Sequence, residues 1–172
     1  MRLTSAFKLL AISLVTASAA DAKTCPIEKT VYRLKGFEKT ATLRFVKDPA
    51  MARQTELSGV LTSNITGRTY KFFIAVSNGY STHYLIDASR VKPEAEGDSD
   101  KEDANDDTPS YAFYNFDKAL RVVNLPNPGE PAPAYIFIPD IGASLWYAET
   151  APDQKTREAI ETQMWQKAEC VK

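Results

Sequence analysis

Histidine is nearly absent from this chain. His83 is the only one among 172 residues, and there are two cysteines, Cys25 and Cys170. A single imidazole cannot form the paired-histidine zinc sites of metallohydrolases. It also leaves His83 as the sole base for any serine or cysteine nucleophile. The segments Gly79-Tyr80-Ser81 and Gly142-Ala143-Ser144-Leu145-Trp146 both fall short of the G-x-S-x-G nucleophile turn, the second because Trp146 stands at its last glycine. No P-loop and no G-x-G-x-x-G occurs, so nothing points to a nucleotide. No apolar run reaches the roughly 20 residues that a membrane-spanning helix needs. Runs of Lys and Arg are missing too, which argues against a nucleic-acid surface. Neither heptads nor internal repeats appear.

The first 22 residues read as a secretory signal. Arg2 and Lys8 supply positive charge, Phe7 to Val15 is a short apolar core, and both Ala17-Ser18-Ala19 and Ala20-Asp21-Ala22 fit an A-x-A cleavage site. The expectation is an exported protein, periplasmic or secreted, that begins near Lys23. The two cysteines then stand almost at its two ends. In an oxidising compartment an even count favours a bridge between them.

Residues 1–22 carry two of the 21 basic and one of the 22 acidic residues, so the remaining chain has a net charge of −2. That charge is unevenly spread. PEAEGDSDKEDANDDTP, residues 93–109, holds eight acidic residues and one lysine, which leaves the rest of residues 23–172 at +5. As an EF-hand loop starting at Asp98, the stretch places Asp103 where glycine is needed and Pro109 where a bidentate glutamate is needed. No metal and no cofactor is therefore expected. Low apolar content and high charge predict a solvated, flexible surface loop. Such a loop can steer a basic partner, with Asp98, Asp100, Glu102, Asp103, Asp106 and Asp107 as the steering charges.

What the sequence has in quantity is alternation and aromatic residues. Segments 30–37 and 40–47 read as strands, and Asp48-Pro49 as the start of a helical turn. The best hairpin signal runs through residues 56–79, turning at Asn64-Ile65-Thr66-Gly67, which is also a formal N-glycosylation sequon. Further strands are expected at 81–88, 110–116, 118–125, 134–141 and 143–149, with a proline-rich loop at 126–133. A terminal helix capped by Thr150 follows, in which Ile160, Met164 and Ala168, with Trp165 beside them, form an apolar stripe. The fold class is mainly β (α+β): an antiparallel sheet or small barrel-like β-sandwich with one C-terminal α-helix packed on it. Residues 23–172 form a single domain.

Strands such as YAFYNF carry aromatic residues at adjacent positions and so place them on both faces of a sheet. Aromatic side chains that no second layer covers are common binding anchors, and Tyr80, Tyr111 and Tyr114 are the candidates. No catalytic residue is assigned. The function expected is an exported non-catalytic binding protein, most concretely an inhibitor or immunity protein against a basic cell-wall hydrolase. The alternatives are a small-ligand or glycan carrier with an aromatic pocket, and a small hydrolase using His83 or an Asp140–Glu149 carboxylate pair.

Overall fold

The structure is a computed structural model that describes residues 25–51, 54–77, 79–80, 82–91, 108–147 and 157–172. The expected signal segment, residues 1–22, and the acidic residues Asp98, Asp100, Glu102, Asp103, Asp106 and Asp107 lie outside the described residues.

Among the described residues nine strands follow a 3₁₀ turn at Ile27–Lys29: β1 (Thr30–Leu34), β2 (Ala41–Lys47), β3 (Leu57–Ser63), β4 (Thr69–Val76), β5 (His83–Asp87), β6 (Ser110–Phe116), β7 (Val122–Val123), β8 (Tyr135–Phe137) and β9 (Trp165–Cys170). One helix among the described residues, α1 (Ile141–Trp146), stands between β8 and β9. Strands β1 to β5 form a meander, β5 pairs with β6, β6 with β8, β8 with β9, and β9 with β1, every pair antiparallel. Eight strands thus close into a barrel, and the short β7 is added to β6. Closure leaves no continuous edge along the eight strands.

The period-two pattern explains the filling. Tyr32, Leu43, Phe45, Leu61, Phe72, Leu85 and Phe113 alternate inward and are buried, with Trp165 entering from β9. Their rings pack on one another: Tyr32 meets Phe45 edge-on at 6.3 Å, Phe45 lies 5.8 Å from Phe113, and Phe72 meets Tyr111 edge-on at 5.9 Å. Such contacts each contribute on the order of 1 kcal/mol beyond burial. An eight-stranded barrel is about wide enough for side chains to fill it, which is what happens here.

The expected fold class holds: an antiparallel, barrel-forming sheet with, among the described residues, one helix toward the C-terminus. The position of that helix differs from the sequence reading. Residues 141–146, expected within strands, are helical, and Ile141, Gly142 and Leu145 are its buried residues. Trp165–Cys170, expected to end a helix, is strand β9. The expected cap, Thr150, lies outside the described residues. Residues 48–51 make a turn, in which the Ala50 N–H donates to Asp48 Oδ1 and the Met51 N–H to the Asp48 carbonyl.

The chain ends are tied twice. Thr30 pairs with Cys170 in the β1–β9 ladder, and Cys25 is disulfide-bonded to Cys170 across 145 residues of sequence. A loop of that length stabilises by about 5 kcal/mol in the chain-entropy account.

Residues 157–164 bind back onto the barrel beside α1. Glu158 is buried, and its Oε1 accepts hydrogen bonds from the hydroxyls of Thr66 and, at 2.8 Å, Tyr70. Burial first, and the Glu158 carboxylate second, raise the Tyr70 phenol to about 12, so it stays a donor at every physiological pH. Gly142 faces the Ile160 backbone so closely that a Cβ there would lie 2.0 Å from the Ile160 carbonyl oxygen. Gly142→Ala is therefore expected to cost about 3 kcal/mol or more. Chemical denaturation checks this, and an unchanged midpoint would contradict the packing of α1 on residues 157–160.

Candidate functional site

The sequence-derived anchors do not gather in one place. Tyr111 is a correction: its side chain is 4% exposed, packs edge-on against Phe72 and belongs to the core. It points inward because it shares the face of Phe113, and the adjacent Tyr114 therefore points outward. Tyr114 is 40% exposed. Tyr80 is 92% exposed on the turn between β4 and β5. The acidic stretch joins the end of β5 to the start of β6, so it leaves from the opposite end of the barrel from Tyr80.

His83 sits inside the wall of β5, where its ring lies 5.5 Å from that of Phe113. Burial lowers its pKa from the ordinary histidine value. Asp140 is exposed at the N-terminus of α1, and Glu149 lies outside the described residues. Among the described residues no three His, Cys, Asp or Glu side chains gather as metal ligands, and no helix is long and apolar enough to cross a membrane.

A different feature stands out at the Tyr80 end. Strand β6 pairs with β5 only through Ser110 to Phe113, so its second half and β7 extend past the start of β5 as a hairpin. The Asp117 N–H donates to the Arg121 carbonyl, and the Leu120 N–H donates to the Asp117 carbonyl. This is a three-residue loop, a geometry whose last position is normally a glycine in the left-handed region. Here the position is Leu120, with φ at 59°, the only non-glycine with positive φ among the described residues. An L residue pays roughly 1–2 kcal/mol for that conformation. Leu120 is nonetheless 62% exposed, and Val122 beside it is 69% exposed, so core burial does not offset the strain.

Asp117 holds this loop. Its Oδ1 accepts the backbone N–H groups of Ala119 at 2.8 Å and Arg121 at 3.0 Å, and its Oδ2 receives the Arg121 guanidinium at 2.6 and 2.7 Å. The Arg121 backbone N–H first, and its side chain second, keep the Asp117 carboxyl below the usual carboxylate range. The loop is thus fixed by polar contacts while it presents apolar side chains. Beside its base an open groove of about 1030 Å³ runs between Lys118, Pro126, Tyr135, Lys167 and the disulfide at Cys170.

Sequence reasoning placed strands at 110–116 and 118–125 and missed the tip between them. The usual signal, a glycine at the left-handed position, is the residue that Leu120 replaces. No protein family, curated protein or solved structure matches the chain.

Two outcomes follow from this geometry. Leu120→Gly relieves the strain and is expected to raise stability by about 1 kcal/mol, read from the denaturant midpoint. A loss of stability would mean that the Leu120 side chain is held by the fold after all. His83, half-buried and with its pKa lowered by desolvation, gives a stability that is complete above about pH 6.5 and declines as the pH drops below it, because the unfolded chain takes up the proton first. Unfolding of the native protein and His83→Asn between about pH 7.5 and 5.5 is expected to show the shallower slope in the variant. Equal slopes would remove His83 from the pH dependence.

Proposed function

We propose that this protein is exported and acts without catalysis, by binding another protein, most concretely as an inhibitor or immunity protein against a basic cell-wall hydrolase. The observation that carries this reading is the hairpin at residues 117–122. A surface leucine held at positive φ costs stability and contributes no burial in return. Strain of that kind is found where function requires it. Rigid presentation of an apolar anchor lowers the ordering entropy lost on association. Tyr80, at the same end of the barrel, adds an exposed aromatic side chain.

The disulfide between the chain ends suits an oxidising compartment, where a signal peptide over residues 1–22 would deliver the chain. A small-ligand carrier would need an open aromatic interior, and the rings of Tyr32, Phe45, Phe72 and Phe113 fill this one. In the binding role, Asp98, Asp100, Glu102, Asp103, Asp106 and Asp107 raise the rate of encounter with a basic partner, while anchoring is a separate task of the hairpin at the other rim.

The test is lysis of peptidoglycan by a panel of purified muramidases in the presence of the disulfide-bonded protein. At least one enzyme should be inhibited with a dissociation constant of about 1 µM or tighter. Leu120→Asp with Val122→Asp should abolish that inhibition, while deleting residues 94–107 should slow association and flatten its salt dependence. A panel neither inhibited nor bound would reject the reading.

A further inference from the structure

The groove beside the hairpin ends on the disulfide. Cys25 and Cys170 both line it, together with Pro131, Lys167 and Ala168. The two cysteines are not equally open. Cys170 is exposed at the last position of β9, whereas Cys25 is 3% exposed. Prolines keep the groove open here. Residues 131–134 form the wall that faces β9, and Pro131 and Pro133 have no N–H to offer a neighbouring strand. The β8–β9 ladder stops at Gln166, and the Ala134 carbonyl accepts the Lys167 N–H at 3.1 Å. Past Lys167, β9 lies along the groove.

The charges of the groove suit an incoming thiolate. Glu169 is ion-paired to Arg33 and Asp117 to Arg121, and Glu130 accepts the Asn127 N–H at 2.7 Å. Lys118 and Lys167 have no ion-pair partner among the described residues. Positive charge that is not already neutralised favours a thiolate as it approaches and as it leaves. The volume of about 1030 Å³ admits a reagent of peptide size. Backbone bonds hold the segments that carry both sulfurs. The Ala132 N–H donates to the Cys25 carbonyl at 2.9 Å, the Ile27 N–H to the Glu130 carbonyl at 3.0 Å, and the Val171 N–H to the Lys29 carbonyl at 2.8 Å. None of these bonds uses the disulfide, so the two sulfurs stay neighbours when it opens and it can re-form.

We infer that the Cys25–Cys170 bond is a thiol–disulfide exchange site, attacked through the groove at Cys170 by a dithiol. One thiolate of the dithiol bonds to the Cys170 sulfur, the Cys25–Cys170 bond breaks, and its electron pair leaves on Cys25. The second thiol of the reagent then attacks the mixed disulfide and frees Cys170. The dithiol is oxidised to a disulfide, the protein's bond is reduced, and the two protons of the dithiol end on Cys25 and Cys170. The site does not use Leu120 and does not rest on the inhibitory reading. It makes the covalent part of the barrel seam responsive to redox poise, with the β1–β9 ladder as the part that does not depend on it.

Reduction of the folded protein by dithiothreitol at about 1–20 mM, quenched with iodoacetamide and counted by mass spectrometry, tests the inference. Attack through the groove needs no unfolding. The second-order rate should therefore stay constant, within about twofold, as urea is raised to the foot of the unfolding transition. A rate that climbs with urea in step with the unfolding equilibrium would overturn the inference, because only the unfolded chain would then react. Reduced glutathione, a monothiol, should be trapped on Cys170 at least about tenfold more often than on Cys25, as read by peptide mapping. Equal labelling, or labelling of Cys25, would overturn it as well. Ala168→Trp narrows the groove at an exposed position and should slow reduction by at least about fivefold with circular dichroism unchanged. An unchanged rate in that variant would reject the groove as the route. Muramidase inhibition is read in none of these experiments, so their failure and the failure of the binding reading are distinguishable.

Discussion

The pairing of the first strand with the last is the contact on which the rest depends. Without β1 against β9, the other strands form an open sheet with two long edges and an aromatic layer facing water. With that pairing, Tyr32 and Trp165 are brought into a common interior and the sheet has no edge to leave unsatisfied. The partners are separated by almost the whole sequence, so closing the ring carries a large entropic cost. The disulfide at the same seam removes much of that cost from the unfolded side. Covalent and hydrogen-bonded closure thus act on one point.

Closure also decides which residues are available for function. A filled barrel uses its inward positions for cohesion, which leaves chemistry to the rims and the outer wall. The rim hairpin shows the consequence most clearly. Asp117 and Arg121 spend their polar groups on fixing a turn in which Leu120 is strained and exposed. The outer wall of β4 to β6 follows from composition: YAFYNF has too many aromatic residues for one face, so Tyr111 and Phe113 enter the core while Tyr114 is left outside. At the opposite rim, the hydroxyls of Thr66 and Tyr70 converge on Oε1 of the buried Glu158 and tie residues 157–160 to the barrel.

Much of this architecture is legible in the sequence. The strands at 30–34, 41–47, 57–63, 69–76, 83–87 and 110–116 follow from alternation, and the disulfide follows from two cysteines placed at the chain ends. The C-terminal region is less legible for a physical reason. WQKAEC contains no β-branched residue, and Gln, Lys, Ala and Glu all favour helix, so local preference points away from β9. Ladder pairing with β1 overrides it. Ile141, Gly142 and Leu145, by contrast, do carry a helical spacing, hidden by the β-rich residues around them. Contacts such as Thr66 with Glu158, 92 residues apart, leave no local trace. The candidate site was the least legible part, because a strained leucine looks in sequence like any other leucine.

The most direct test of this account is amide hydrogen exchange on the native, disulfide-bonded protein, compared segment by segment. If β9 closes the barrel, residues 165–170 should exchange as slowly as residues 30–34 and 57–63, through global unfolding only. Exchange at 165–170 that is orders of magnitude faster than in β1 and β3 would mean the terminal segment lies outside the sheet, and the closed barrel would be wrong.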